Sequence, residues 1–336
     1  MRWTLVFLMA GALSLPAANR KNLEITFIDT EGGQATLLVT PSGESLLVDA
    51  GFPGNNGRDS DRIVAAAKKA GLTKIDYLLV THYHLDHVGG VPELAAKFPV
   101  GTLIDHGANV ETGRGADTLN AAYQKVIASG AKRLTVKPGD ILPLKDLRIE
   151  VITANGERIP KPVKGGGQKN PVCGTEQRRA DDPSENARSI GVLMTFGKFR
   201  FVDLGDLTWN KELDAACPDH LIGPVDLFLT THHGLDQSNS ASMVHGLHPR
   251  VAIMNNGAKK GGSPAAWSIV SASPGLQDLW QIHYAEAGGK DHNVAEERIA
   301  NPQVPCQGAG IEVAAGKDGV FTVTNQRNGL KKTYKP

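Results

Sequence analysis

The sequence lacks the features that mark a membrane protein, a nucleic-acid binder or a cysteine-based site. After residue 18, no segment approaches the roughly 18 consecutive apolar residues of a membrane span. The chain has 36 Lys plus Arg against 35 Asp plus Glu, so it has no global positive charge to hold a polyanion. Its three cysteines, Cys173, Cys217 and Cys306, form no Cys-x-x-Cys motif and lie beside no histidine motif. They allow one disulfide with one thiol left over, in a pairing that the sequence leaves open, and we interpret them as structural rather than as metal ligands or nucleophiles.

The first 18 residues have the layout of a secretory signal peptide. Arg2 precedes an apolar run over residues 3–15, and Pro16-Ala17-Ala18 supplies a small-residue cleavage region. The run is too short to span a bilayer, and no cysteine follows it to take a lipid anchor. We therefore expect an exported protein, periplasmic or extracellular, with no transmembrane anchor after cleavage. The alternative is a buried N-terminal strand or helix.

The most informative motif is His82-Tyr83-His84-Leu85-Asp86-His87. It follows residues 75–80, an apolar run that predicts a buried strand. Because alternate residues of an extended chain face the same way, His82 and His84 can bind one metal ion. Asp86 and His87 follow where the chain would turn into a helix, so they can face a second ion beside the first.

Three other motifs accompany predicted strands, one before the histidine motif and two after it: Asp49-Ala50-Gly51, Gly205-Asp206 and His232-His233-Gly234. Taken in order with the histidine motif, they resemble the metal-binding motifs of the metallo-β-lactamase fold superfamily. The resemblance implies an α/β fold, a four-layer αββα sandwich whose two halves meet with the metal loops along one edge. Strands followed by helices, twice over, fit that architecture. We expect a single domain over residues 23–336.

The resemblance also implies a site for two divalent metal ions, zinc or alternatively manganese. Asp206 would bridge the ions through its two carboxylate oxygens, and His233 would complete the second ion's shell. His232 is the alternative ligand to His233, and whichever of the two does not bind metal can donate a proton to a leaving group. Asp86 and His232 are the predicted catalytic residues. The predicted metal ligands are His82, His84, Asp86, His87, Asp206, His233 and His106.

The third ligand of the first ion is the point at which the sequence departs from the family pattern. The usual His-Thr-Pro-Gly-Ser segment is replaced by Glu185-Asn186-Ala187-Arg188-Ser189. His106 follows a strand-like run and is one substitute, whereas Asn186, a water or the substrate are the others. Asp49, and in the same way Asp29, suit the role of a carboxylate that accepts the free N–H of a metal-bound histidine.

Residues 155–188 form a long irregular segment rich in glycine and proline, with a locally basic first part. Segments of this length are often functional lids or disordered. As a lid it could attract an anionic substrate, and otherwise it is a solvated insertion. We also predict a short helix around residues 277–280.

Two adjacent ions acidify a shared water to hydroxide, which predicts a hydrolase. Residues 27–36, the Asn186 segment and His232-His233-Gly234 with the serines beyond it are similar to the ComEC-type hydrolase domain and its stand-alone exported relatives. That similarity implies a phosphodiester substrate. The alternatives are a small-molecule lactamase or lactonase acting on C–N or C–O bonds, and a non-catalytic metal-binding module. A nucleic-acid substrate is compatible with the motifs but is not supported by the net charge.

Overall fold

The computed structural model describes residues 20–336, so the signal-peptide prediction for residues 1–18 lies outside the described part of the chain. Within residues 20–336 there are six α-helices and nineteen strands. The helices are α1 (Arg58–Lys69), α2 (Val91–Lys97), α3 (Arg114–Ala128), α4 (Trp209–Ala216), α5 (Ala241–Leu247) and α6 (Pro264–Ser271). The strands are β1 (Leu23–Phe27), β2 (Thr36–Val39), β3 (Ser45–Val48), β4 (Ile75–Leu79), β5 (Val100–Asp105), β6 (Lys132–Thr135), β7 (Arg148–Ala154), β8 (Glu157–Arg158), β9 (Gln168–Lys169), β10 (Gly191–Phe196), β11 (Phe199–Asp203), β12 (Asp219–His220), β13 (Leu227–Leu229), β14 (Val251–Met254), β15 (Asp278–His283), β16 (Ile299–Asn301), β17 (Ile311–Ala315), β18 (Phe321–Asn325) and β19 (Lys331–Tyr334).

Most of the strands belong to two large mixed sheets. The first has the order β19-β18-β17-β1-β2-β3-β4-β5-β6, and the second has the order β16-β15-β14-β13-β11-β10-β7-β8. In the first sheet β3, β4, β5 and β6 run parallel, and in the second β11, β13, β14, β15 and β16 do. The carboxyl ends of these parallel strands are where the loops of an α/β site usually lie.

The two sheets pack face to face, and helices cover both outer faces. Alternation along β1 directs Leu23, Ile25 and Phe27 into the core between the sheets while Glu24 is exposed. Phe27 meets Phe201 of the second sheet edge to face, with ring centroids 5.8 Å apart. Helices α1, α2 and α3 cover the first sheet, and α4, α5 and α6 cover the second. The predicted four-layer αββα sandwich is confirmed.

One predicted element is wrong. Residues 277–280 do not form a helix, because β15 begins here and lies between β14 and β16 in the second sheet, parallel to both. All six residues of β15 are buried. A strand buried on both faces shows no alternation, so its short apolar run cannot be distinguished from a helix by periodicity.

The irregular segment over residues 155–188 is attached to the helices of the second sheet. The disulfide Cys173–Cys217 joins it to the end of α4. The Glu176 carboxylate accepts the backbone N–H groups of Ala241 and Ser242 at 2.7 Å each, at the start of α5. These contacts fix the middle of the segment against the body of the protein. No helix in the described range has the length and apolarity of a membrane span.

Candidate metal centre

The four sequence motifs meet at one edge of the sandwich. Asp49 follows β3 and the histidine motif follows β4, both in the first sheet, whereas Asp206 follows β11 and His233 follows β13 in the second. Each follows a strand whose carboxyl end opens at this edge, so the topology brings together residues that are far apart in the chain.

Asp86, His87, Asp206 and His233 form a compact buried group in which one ligand atom of each residue lies within 4.8 Å of the others. His87 Nε2 is 3.2 Å from a carboxylate oxygen of Asp86 and 3.2 Å from one of Asp206. His233 Nε2 is 3.2 Å from Asp86 and 3.4 Å from Asp206. The group therefore presents two imidazoles and two carboxylates to a common point.

This arrangement fits a metal ion. His87 Nε2 and His233 Nε2 face each other at 3.3 Å. The proton of His87 is on Nδ1, because that atom lies 2.7 Å from Asp49 Oδ2, so in the neutral ring Nε2 presents a lone pair. Asp206 Oδ1 is buried and has no hydrogen-bond partner among the described residues. Imidazole and carboxylate donors suit zinc, and a cation between them would satisfy both.

Asp49 orients His87 from behind. Its Oδ1 accepts the backbone N–H of Thr81 at 2.8 Å, and its Oδ2 accepts the Thr81 hydroxyl at 2.7 Å as well as the His87 ring. Asp49 adopts φ 61°, a left-handed conformation that aspartate tolerates better than most residues. The carboxylate occupies the position proposed for it from the sequence, as the partner of a ligand histidine rather than a ligand.

His82 and His84 lie beside this group. His82 Nε2 is 3.0 Å from His84 Nδ1 and 3.9 Å from Asp206 Oδ2. His84 Nε2 is 2.9 Å from Glu111 Oε1, a carboxylate that the sequence reasoning missed. His82 thus lies near the predicted bridging carboxylate, and His84 contacts the partly exposed Glu111.

The structure does not bring His106 into the cluster. Its Nε2 lies 2.9 Å from Glu185 Oε2, and Glu185 also accepts the backbone N–H groups of Tyr83 and Val110. His106 is thus paired with a buried carboxylate and is not part of the compact group. The other candidate, Asn186, has a buried side-chain oxygen without a hydrogen-bond partner.

His232 and His233 both adopt positive φ, 54° and 56°. Such backbone conformations are uncommon in residues other than glycine and concentrate at functional sites. The turn points both rings at Asp206: His232 Nε2 lies 3.3 Å from its Oδ2, while His232 Nδ1 lies 3.4 Å from the Ser238 hydroxyl. His233 belongs to the compact group, and His232 lies at its margin with a side chain that is 9% exposed.

The electrostatics of the side chains favour a cation. Burial alone would raise the pKa of Asp206, but His87, His233 and His232 outweigh it and hold that pKa well below its usual range. Asp86 behaves in the same way, since burial is outweighed by His87, His233 and Lys260. Burial and the neighbouring His87 place the pKa of His82 well below its usual value, so its ring is neutral. Burial would lower the pKa of His87, but Asp206, Asp86 and Asp49 outweigh it and hold that pKa well above its usual value, so without an ion the His87 ring carries the positive charge of the group. A metal requires ionised carboxylates and neutral imidazoles, and it would therefore displace the proton of His87.

Lys260 is a further residue that the sequence reasoning missed. Its ammonium contacts the Asp86 carboxylate, its side chain is 34% exposed, and it lies 5.6 Å from the centre of the Phe52 ring. It belongs to the loop after β14, the next parallel strand beyond β13. The order of parallel strands is the signal that could have located this loop at the site, but strand order is not visible in one sequence.

The chain is similar to several known proteins. The family model for the metallo-beta-lactamase superfamily matches residues 29–168. The chain is 23% identical to ComE operon protein 3 of Bacillus subtilis over 70% of its own length, and this match spans 28% of that protein. It is 26% identical to a UPF0173 metal-dependent hydrolase of Anaeromyxobacter dehalogenans, over 71% of this chain and 76% of that one. Among solved structures, the metallo-beta-lactamase fold protein YhfI of Bacillus subtilis matches with a TM-score of 0.47 and 13% identity, over 78% of this chain and 96% of that one.

Two layered sheets with a buried His/Asp cluster at one edge define a metal-dependent hydrolase. Residues 29–168, which contain the Asp49 and His82 motifs, match the metallo-beta-lactamase superfamily model, in agreement with the resemblance stated from the sequence.

Proposed function

We propose that this protein hydrolyses phosphodiesters with the help of two divalent metal ions. The observation that carries the substrate class is Lys260, whose ammonium lies at the accessible side of an otherwise buried His/Asp centre. A positive charge at that position suits the phosphate of a phosphodiester and has no comparable role for a neutral lactone. The similarity to ComE operon protein 3 over 70% of the chain supports the same assignment.

The side chains divide into two overlapping ligand sets. Asp86, His87, Asp206 and His233 would hold one ion, and His82 and His84 would hold the other with Asp206 shared between them. When bound, the ions would supply an acidified water and would stabilise the negative charge that develops on the attacked group.

The chain's own residues then bind the substrate and move protons. Lys260 would hold a non-bridging phosphate oxygen, which places the phosphorus near the cluster. His232 would donate a proton to the leaving oxygen after its Nε2, which faces Asp206, has taken up the proton that the attacking water loses, because burial lowers the pKa of the ring and Ser238 accepts the Nδ1 proton. The Ser238 hydroxyl is itself held by the carbonyl oxygen of Leu207 at 2.7 Å.

The test is the initial rate on a chromogenic phosphodiester by protein reconstituted with zinc or manganese. We expect a clear rate, its loss in Asp206→Ala, and a decrease in kcat/KM of roughly tenfold or more in Lys260→Met, the size of a lost charged hydrogen bond. Lys260→Arg is the matched control and should retain most of the rate. The Lys260→Met decrease should be absent with a neutral ester or lactone.

The outcome that would overturn the proposal is the absence of phosphodiester hydrolysis in protein shown to contain both ions. Hydrolysis of a lactam, lactone or ester by the same preparation would then establish the C–N or C–O alternative. Full activity in Asp206→Ala would contradict the two-ion site itself.

A further inference from the structure

A second cluster of metal-ligand residues lies outside the centre described above. Asp29 follows β1 in the first sheet, His283 ends β15 in the second, and Cys306 lies between β16 and β17. One ligand atom of each lies within 4.8 Å of the others. Asp29 and His283 are fully buried, and Cys306 is partly buried. Three donors from separated segments thus converge where the two sheets meet.

We propose that this second cluster is a structural site for one divalent transition metal of the zinc class. A thiolate, an imidazole and a carboxylate are the donor types that zinc prefers. Glu31 Oε1 lies 3.3 Å from Cys306 Sγ but does not converge with the ligand atoms of all three residues, so it is a neighbour of the cluster and not a ligand. Asp29, His283 and Cys306 would supply three ligands with a water as the fourth, and because they come from both sheets the ion would have the structural role of joining the sheets.

The distances are compatible with such a shell after a small expansion. Cys306 Sγ lies 3.3 Å from Asp29 Oδ2, and His283 Nε2 lies 2.7 Å from Asp29 Oδ1. Donors around a tetrahedral zinc are about 3.4 to 3.7 Å apart, given metal–ligand bonds of about 2.0 to 2.3 Å. The His283–Asp29 pair would have to separate by less than about 1 Å and the Cys306–Asp29 pair by about 0.2 Å. The Arg62 guanidinium, which lies 3.0 Å from Asp29 Oδ2 and 3.5 Å from Cys306 Sγ, would have to move aside.

Cys306 Sγ contacts the carboxylates of both Asp29 and Glu31, and burial, with Asp29 next in importance, raises the pKa of its thiol to about 11. Metal binding would release the thiol proton to solvent as the metal–sulfur bond forms. The proton that His283 Nε2 donates to Asp29 would move to Nδ1, which has no hydrogen-bond partner among the described residues. Bound thiolate with Asp29 and Glu31 makes three negative charges, and the two guanidiniums in contact, Arg62 and Arg58, make two positive ones. These five groups together carry one net negative charge, which favours the binding of a divalent cation.

The site has a structural consequence for the catalytic centre. Asp29 begins a loop that ends at Gln34, whose backbone N–H donates to the carbonyl oxygen of Asp86 at 3.0 Å. The Gln34 side chain donates to Asp203 Oδ2 at 2.8 Å, close to Asp206. An ion on Asp29 would hold this loop in place behind Asp86.

The cluster also changes two expectations from the sequence. Asp29 pairs with His283 rather than with a ligand histidine of the first centre, and Cys306 becomes a ligand.

The experiment is cobalt substitution followed by absorption spectroscopy. A thiolate bound to Co²⁺ gives a near-ultraviolet charge-transfer band that imidazole and carboxylate ligands do not give. Cys173 and Cys217 are joined in a disulfide, so Cys306 is the one free thiol of the three cysteines. We expect the wild-type protein to show the band. Cys306→Ser should lose the band and should bind about one equivalent of metal per chain less than the wild type. His283→Gln should show a weaker band.

Asp206→Ala is the matched control, because it removes a ligand of the first centre and should leave the band unchanged. No band in the wild-type protein at saturating cobalt would overturn the proposal whatever the variants do. A band of undiminished strength in His283→Gln would remove the imidazole from the ligand set and overturn the proposed shell.

Discussion

At the residue scale, the His87 ring is fixed by a carboxylate that the metal would not touch. Asp49 uses both oxygens, one on the backbone of Thr81 and the other on the Thr81 hydroxyl and the His87 Nδ1. A histidine whose Nδ1–H is held in this way must present Nε2 to the cluster, in one orientation. Partners of this kind are worth roughly 10- to 100-fold in metal affinity.

We therefore expect Asp49→Asn to weaken metal binding by roughly 10- to 100-fold. Asparagine matches the shape of aspartate and tolerates the positive φ at this position, so the backbone should be preserved. Asparagine has only one acceptor oxygen. Its amide N–H₂ would be directed at either His87 or Thr81, where the wild-type aspartate accepts a hydrogen bond. The measurement is competition with a chromophoric chelator, with circular dichroism to show that the fold is intact. Unchanged affinity in a folded variant would show that Asp49 does not orient the ligand.

The same residues show which part of the site was predictable. His82, His84, Asp86 and His87 lie within six positions, so their pattern is local and a single sequence reveals it. Contacts across long stretches of chain leave no local pattern. His106 meets Glu185 across 79 residues, Lys260 meets Asp86 across 174, and His283 meets Asp29 across 254. The sequence pattern could not show whether His106 lies near the metal ligands. The position of its ring depends on Glu185, which is 79 residues away in the chain.

At the element scale, the segment over residues 155–188 is integrated with the second half of the sandwich. The disulfide closes it onto the end of α4, Glu176 caps α5, and Arg178 pairs with Asp214 of α4 at 2.7 Å. The basic side chains on which a lid function was suggested are thus partly used in structural contacts. The sequence allowed a disulfide but not its pairing, because three cysteines permit three different bridges.

Replacing both Cys173 and Cys217 with serine should lower the free energy of unfolding by about 4 kcal/mol, the chain-entropy value for a closed loop of this size. The bridge spans a sequence separation of 44. The change is measured by urea denaturation, where the variant should have a lower midpoint. A reductant should lower the midpoint of the wild-type protein and leave that of the variant unchanged. Equal stability of the two proteins would mean that the segment's other contacts fix it without the bridge. A persistent bridge also suits the oxidising compartment predicted from residues 1–18.

At the scale of the whole molecule, the metal centre joins the two halves of the sandwich. Asp86 and His87 belong to the first sheet's loops, and Asp206 and His233 to the second's. The two sheets already share a continuous apolar core, to which β1, β11 and β15 contribute Phe27, Phe201 and Trp280. The sequence predicted these layers because the alternation of β1 and the apolar runs of the parallel strands are local. It could not show how closely the two sets of loops approach, because that distance depends on the packing of the two sheets.

Because the ligands come from both halves, metal binding should stabilise the entire fold and not one sheet alone. An ion that binds only the folded protein adds about 2.7 kcal/mol at a free concentration 100 times its Kd. For a chain of 336 residues this corresponds to a rise in Tm of roughly 4 °C per ion, in a single transition seen by both circular dichroism and tryptophan fluorescence. Chelation should reverse the increase in Tm. Asp206→Ala should show a much smaller increase in Tm with metal. The double variant Asp206→Ala with Cys306→Ser should show no increase, because the second cluster contributes the rest. Two separated transitions, with only one of them responding to metal, would show instead that the ions stabilise one half and that the halves unfold independently.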